Sequence, residues 1–229
     1  MSESKGLEEM YQFIKKLCSI SLIFMLCFCL SGCFDIFQYI TRDNDGIDKI
    51  TVRATVSKGF FAMVYGLSGS TDDIDYNEMF DESDMYTFDT DNYIQYGAVI
   101  ERINDVSEFG LQLRMNIDYR DQNVMDEINR TSSSFIPKYN ENGMTIRIER
   151  IGNVASSVEE NVMTAVFLAS GRYRLMISKR CIENINRAVI KTIEDEAEIS
   201  FIDLYDKYLL EIPIPLLIMD DIDLILYSF

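Results

Sequence analysis

A period of two constrains this chain more than any other feature. In Ile50-Thr51-Val52-Arg53-Ala54-Thr55-Val56, in Met144-Thr145-Ile146-Arg147-Ile148-Glu149-Arg150 and in Tyr173-Arg174-Leu175-Met176-Ile177-Ser178, apolar or β-branched residues recur at every second position. Successive side chains of an extended chain point to opposite faces, so such runs give one dry face and one wet face as strands, whereas the same alternation wound at 3.6 residues per turn would scatter them around the helix. Runs of similar character lie at 94–103, 110–119, 188–193, 198–204, 208–218 and 223–227, and together they make about nine strands at the spacing of a sandwich. Three stretches read better as helix. These are 58–67, 121–130 with Val124 and Ile128 four apart, and 157–169, where Glu159 and Glu160 follow Ser157 and Val158, Val162, Ala165, Val166 and Ala169 recur at helical steps. A buried strand is the alternative for the last. The expected fold is therefore mainly β, α+β at the margin: an antiparallel β-sandwich-like domain with two or three short helices. Pro213 and Pro215 remove two N–H groups from one side of the 208–218 run, which predicts an edge strand or an extended element off the sheet.

The first 33 residues have a different character. Lys15-Lys16 precede a 14-residue run, Leu17 to Leu30, in which only Ser19 and Ser21 are polar. As a helix it would span about 21 Å against a hydrocarbon core of about 30 Å, so it reads as a signal peptide and not as a permanent span. The run ends in Leu30-Ser31-Gly32-Cys33, which resembles the lipobox of bacterial lipoproteins, whose cysteine is diacylated and becomes the mature amino terminus. The resemblance covers the leader alone. It implies a signal peptide at 1–32, a lipid on Cys33, a tether over 33–48 that includes the polar stretch Thr41-Arg42-Asp43-Asn44-Asp45-Gly46, and one β-rich domain over 49–229. Glu3, Glu8 and Glu9 make the opening unusually acidic for such a leader, and a start at Met10 would give a conventional one. In family terms Phe34, where an aspartate would signal inner-membrane retention, points to the outer membrane. Two or three acyl chains, at about 0.8 kcal/mol per buried CH₂, anchor a protein stably. A tethered body would then not need to touch the bilayer.

Charge excludes several functions. The chain has 38 Asp+Glu, 21 Lys+Arg and no histidine, a formal charge of −17. Triads and Cys–His pairs built on imidazole are ruled out, and phosphate backbones are repelled, so nucleic acid is not an expected partner. Cys18, Cys27 and Cys29 lie in the leader and Cys33 is the lipid site, which leaves Cys181 alone in the body with no intramolecular disulfide to form. Gly66-Leu67-Ser68-Gly69-Ser70 lacks the G-x-S-x-G spacing of a nucleophile elbow. No catalytic residue, metal ligand set or cofactor is expected beyond the covalent lipid. Asp43-Asn44-Asp45-Gly46-Ile47-Asp48 carries calcium-like oxygens, but an EF-hand register would put Thr41 and Val52 at the loop ends.

Two charged segments stand out. From Gly59 to Glu101 there are ten acids and no base, interleaved with aromatics; Asp81, Glu82, Asp84 and Tyr86 are its binding candidates. From Arg172 to Lys191 there are six bases and one acid, with Arg172 and Arg174 at strand spacing and Arg180 beyond them, facing either an anionic ligand or nearby acids such as Glu194, Asp195 and Glu196. The expected function is a non-enzymatic, membrane-anchored envelope lipoprotein presenting a domain that binds a protein or small ligand. The alternative is a periplasm-facing structural or assembly lipoprotein that binds envelope proteins through a sheet edge. A carboxylate-based hydrolase trails both.

Overall fold

The computed structural model describes residues 34–67, 75–76, 93, 96–131, 133–150 and 171–228. Cys33, Asp81, Glu82, Asp84, Tyr86 and the 157–169 segment lie outside them.

The described residues form a β-rich domain of two sheets with three short helices. The larger sheet runs in the order β10 (Phe201–Asp203), β11 (Lys207–Pro213), β7 (Arg172–Ser178), β1 (Phe34–Arg42), β2 (Asp48–Ser57), β4 (Glu108–Ile117), β3 (Val99–Asn104). The smaller runs β5 (Pro137–Asn140), β6 (Gly143–Ile148), β12 (Ile222–Ser228), β8 (Ile185–Lys191), β9 (Glu196–Ile199). Every pairing is antiparallel except that of β1 with β7. The alternation does what period two requires: Ile36, Gln38 and Ile40 of β1 and Tyr173, Leu175 and Ile177 of β7 turn inward and are buried. They join Met144, Ile146, Leu224, Leu226 and Ala188 of the smaller sheet in one core. Each such aliphatic side chain contributes about 1.5–3 kcal/mol by leaving water.

The structure corrects the sequence reading at four places. The residues assigned to a tether form β1, a central strand paired antiparallel with β2 from Phe34↔Val56 to Arg42↔Asp48 and parallel with β7 from Asp35↔Arg172 to Ile40↔Ile177. Inward Gln38 and outward Phe37 and Tyr39 had blurred its alternation. The polar stretch after it is the β1–β2 turn, where Asp43 Oδ1 accepts hydrogen bonds from the backbone N–H of Asp45 (2.9 Å) and Ile47 (3.0 Å). Secondly, the proline-containing segment is neither an edge strand nor an extended element off the sheet. β11 lies between β10 and β7, Pro213 falls on its final pair, and a helix, α3 (Ile214–Met219), follows with Pro213 as N-cap and Pro215 in the first turn. Missing N–H groups cost nothing there, because first-turn donors have no intrahelical acceptor. Thirdly, the 198–204 run divides between β9 of one sheet and β10 of the other. Lastly, among the described residues of the 94–103 run, 96–98 precede the strand, which begins at Val99.

Helices α1 (Lys58–Leu67) and α2 (Gln122–Arg130) fall where the spacing placed them. Asp121 caps α2 by accepting from the Asn123 N–H at 2.9 Å, and Ile128 is its buried contact.

The strand registers define two ends. At the first lie the starts of β1 and β7, the β3–β4 and β8–β9 turns, and helices α1 and α3. At the second lie the β1–β2 turn, the end of β7 and the β10–β11 turn.

Candidate functional site

The second end holds the densest polar chemistry. Arg42 and Asp48 are the last pair of the β1–β2 hairpin, and the Asp48 carboxylate, wholly buried, accepts from Arg42 Nε at 2.5 Å and Nη2 at 3.1 Å. The Tyr139 hydroxyl of β5 donates to Oδ2, the oxygen that Arg42 Nη2 also reaches, and the Arg42 guanidinium lies 5.0 Å from the centre of the Tyr139 ring. Tyr119, just past β4, meets Tyr139 edge-on at 4.9 Å and donates to the Pro137 carbonyl. Burial, and next the charge of Asp48, push the Tyr139 hydroxyl far above its ordinary pKa, so it stays a donor. Hydrogen bonding to Asp48 raises the Arg42 guanidinium.

Cys181 packs into the same cluster. It is buried, and that burial, with Asp48 adding to it, pushes the thiol up to about 12. A thiol so far from thiolate is a poor nucleophile. Iodoacetamide at pH 8 is expected to leave Cys181 unmodified in the folded protein and to alkylate it fully in denaturant; mass spectrometry distinguishes the two, and native labelling at the denatured rate would refute the burial. The cluster as a whole works as a clamp: the Asp48 carboxylate, the Arg42 guanidinium and the Tyr139 phenol satisfy one another, Tyr119 packs against Tyr139, and together they join β1, β2, β5 and the end of β4.

Beside this clamp is an open cleft of about 490 Å³ lined by Ser178, Lys179, Arg180, Glu183, Asn184 and Asp206. Lys179 Nζ pairs with Asp203 at 2.5 Å, and Arg180 Nη1 donates to Asn44 Oδ1 at 3.0 Å. Its wall therefore carries both signs of charge, with its two cations engaged by Asp203 and Asn44 from outside the lining. In the β1–β2 turn the Ile47 N–H foremost holds the Asp43 carboxyl below its usual range. Among the described residues no group of three Cys, Asp or Glu could hold a metal ion.

Arg172 and Arg174 lie together on the outward face of β7. Arg174 bridges Glu211 of β11, its direct cross-strand partner (2.9 Å), and Asp35 of β1, a diagonal neighbour two residues along (3.3 Å), while Arg172 donates to the Gly171 carbonyl at 2.9 Å. Desolvation raises the Asp35 carboxyl and Arg174 draws it back. Arg187 pairs with Glu196 and Glu198, while Arg180 lies beyond β7, at the cleft. The basic segment is thus met by acids of its own sheets, and such partly exposed pairs contribute roughly 0–1 kcal/mol each. The acidic candidates Asp81, Glu82, Asp84 and Tyr86 lie outside the described residues. Sequence spacing put Arg172 and Arg174 on one face but gave no sign of the Arg42–Asp48–Tyr139 clamp, whose members meet only through tertiary pairing.

No family model and no curated protein sequence matches this chain. Among solved structures, the folded domain of the LppM protein of Mycobacterium tuberculosis, determined by NMR, is similar over 87% of this chain and 92% of its own, at 9% identity and a TM-score of 0.38.

Proposed function

We propose that this chain is a lipoprotein of the bacterial cell envelope, anchored by acyl chains on Cys33 and presenting its β-rich domain to a protein or small ligand without catalysing a reaction. The observation that carries the reading is the position of the lipobox: Leu30-Ser31-Gly32-Cys33 ends one residue before β1 begins, so cleavage ahead of Cys33 removes the whole leader and none of the described residues. The buried, protonated Cys181 and the self-satisfied clamp support a binding role over a catalytic one. Phe34 after the cysteine favours the outer membrane. Asp81, Glu82, Asp84 and Tyr86 remain the proposed ligand contacts, and a periplasm-facing assembly role, binding envelope proteins through a sheet edge, is the second reading.

Growth with labelled palmitate is the test. The protein is expected to carry label in the membrane fraction, and Cys33→Ser is expected to abolish it. Undiminished label in Cys33→Ser, or none in the parent, would refute the anchor.

A further inference from the structure

We propose that the domain rests directly on the bilayer, with the end at which β1 begins turned toward the lipid and the cleft end turned away. The proposal rests on the reading of Cys33 as the lipid site.

The first argument is length. Consecutive Cα atoms are about 3.8 Å apart, so an acyl-bearing Cys33 stands one peptide from Phe34. Phe34 is already paired with Val56, and β1 is flanked by β2 on one side and β7 on the other. A central strand cannot swing free as a tether would. The packing around it is tight as well: a Cβ at Gly171 would lie 2.8 Å from Ile214 Cγ1 and 3.1 Å from the Phe34 carbonyl oxygen, which leaves no slack between the starts of β1, β7 and α3.

The second argument is what surrounds that strand start. Met63 on α1, Val106 in the β3–β4 turn, Ile193 in the β8–β9 turn, and Leu216 and Met219 on α3 all belong to the first end. Val106 is 99% exposed, Ile193 87% and Met219 71%. Three separate elements thus place large apolar side chains in water around the acyl site. Exposed apolar residues also stand on and after β10, at Ile202, Leu204 and Tyr205, but the first end alone adjoins the proposed acyl site, which puts its exposed apolar side chains within reach of the bilayer.

The third argument is charge. Lys58 of α1 donates to the Asp105 carbonyl and Arg172 lies beside Gly171, while Asp105, Glu194, Asp195 and Asp220 supply acids at the same end. A mixed surface on a protein of −17 has no net attraction for anionic headgroups, so the occupant that fits is a zwitterionic lipid surface entered by apolar side chains.

The chain contains no tryptophan, so a single introduced one reports alone. Val106→Trp and, separately, Tyr205→Trp at the opposite end are made in the full lipidated protein and reconstituted into phosphatidylcholine vesicles with and without brominated acyl chains. Both parent residues are almost fully exposed, at 99% and 100%, so neither change disturbs the core. Bromine is expected to quench Val106→Trp by about half or more, as for a side chain about 5–10 Å into the headgroup–acyl boundary, and to leave Tyr205→Trp unchanged. Met219→Trp repeats the test on α3. An insertion of about ten Gly/Ser residues between Cys33 and Phe34, giving about 17 Å of reach, is expected to relieve the quenching while the protein still floats with the vesicles. Flotation with Val106→Trp and Met219→Trp no more quenched than Tyr205→Trp overturns the orientation alone. Failure to float overturns the anchor, and the orientation with it.

Discussion

Gly143→Ala is expected to be the most damaging single substitution in the described fold, costing more than about 4 kcal/mol and leaving little folded protein. Gly143 opens β6 at a φ of +142°, a region nearly closed to side chains. A Cβ there would stand 1.9 Å from the Leu226 carbonyl oxygen and 3.0 Å from its carbon. The obstacle is backbone, and no rotamer change can clear it. Nor can the strand yield cheaply, since β12 lies between β6 and β8 and carries the wholly buried Leu224 and Leu226. Gly143 also pairs with Tyr227 on one side and Asn140 on the other, so a shift breaks both ladders of β6. Urea unfolding followed by circular dichroism would measure the loss. A midpoint close to the parent's would mean that the β6–β12 register differs from the one described.

The same dependence on neighbours explains what the sequence could and could not disclose. Ile50–Val56, Met144–Ile148 and Tyr173–Ser178 were legible because each buries one clean face, and α1 and α2 because each sits between strands with helical spacing of its own. β1 was not, because its inward row holds Gln38. That side chain is satisfied only in the folded state, where Nε2 donates to the Phe135 carbonyl at 2.7 Å and Oε1 accepts from the Tyr173 hydroxyl at 2.5 Å. A polar residue in an apolar row looks like a break in the pattern until its distant partners are known. α3 was hidden by prolines whose meaning depends on whether the strand before them has ended. Arg172 and Arg174 share a face by strand period alone, yet nothing local announces that Asp35 and Glu211 flank Arg174, since the parallel β1–β7 pairing joins segments more than a hundred residues apart. The clamp is the extreme case: of its members only Arg42 and Asp48 are near in sequence, across a hairpin whose turn resembled a tether.

That hairpin pair supports the second large effect. Asp48→Ala is expected to cost about 3 kcal/mol, the lower part of the range for breaking a buried ion pair, because the Arg42 side chain keeps 28% of its exposure and can recover some hydration. The loss has two parts. Arg42 would keep its charge against the Tyr139 ring with no counter-ion, and the Tyr139 hydroxyl, mostly sealed from water, would lose its acceptor. Asp48→Asn retains the shape and one acceptor oxygen, so it should fall between the parent and the alanine variant. The decisive comparison is a double-mutant cycle with Arg42→Met, which keeps an apolar stem against Tyr139 and removes the charge. If the two residues act as a pair, Arg42→Met should be costly in the parent and nearly free once Asp48 is alanine, with a coupling of about 2 kcal/mol or more. Additive losses would show instead that Asp48 is held by its other bonds and that Arg42 is a surface group lying over the ring. The cycle also tests where stability comes from at this end: the strands meet there through satisfied polar groups as well as apolar burial, so the clamp should set the cost of separating the β1–β2 turn from β5.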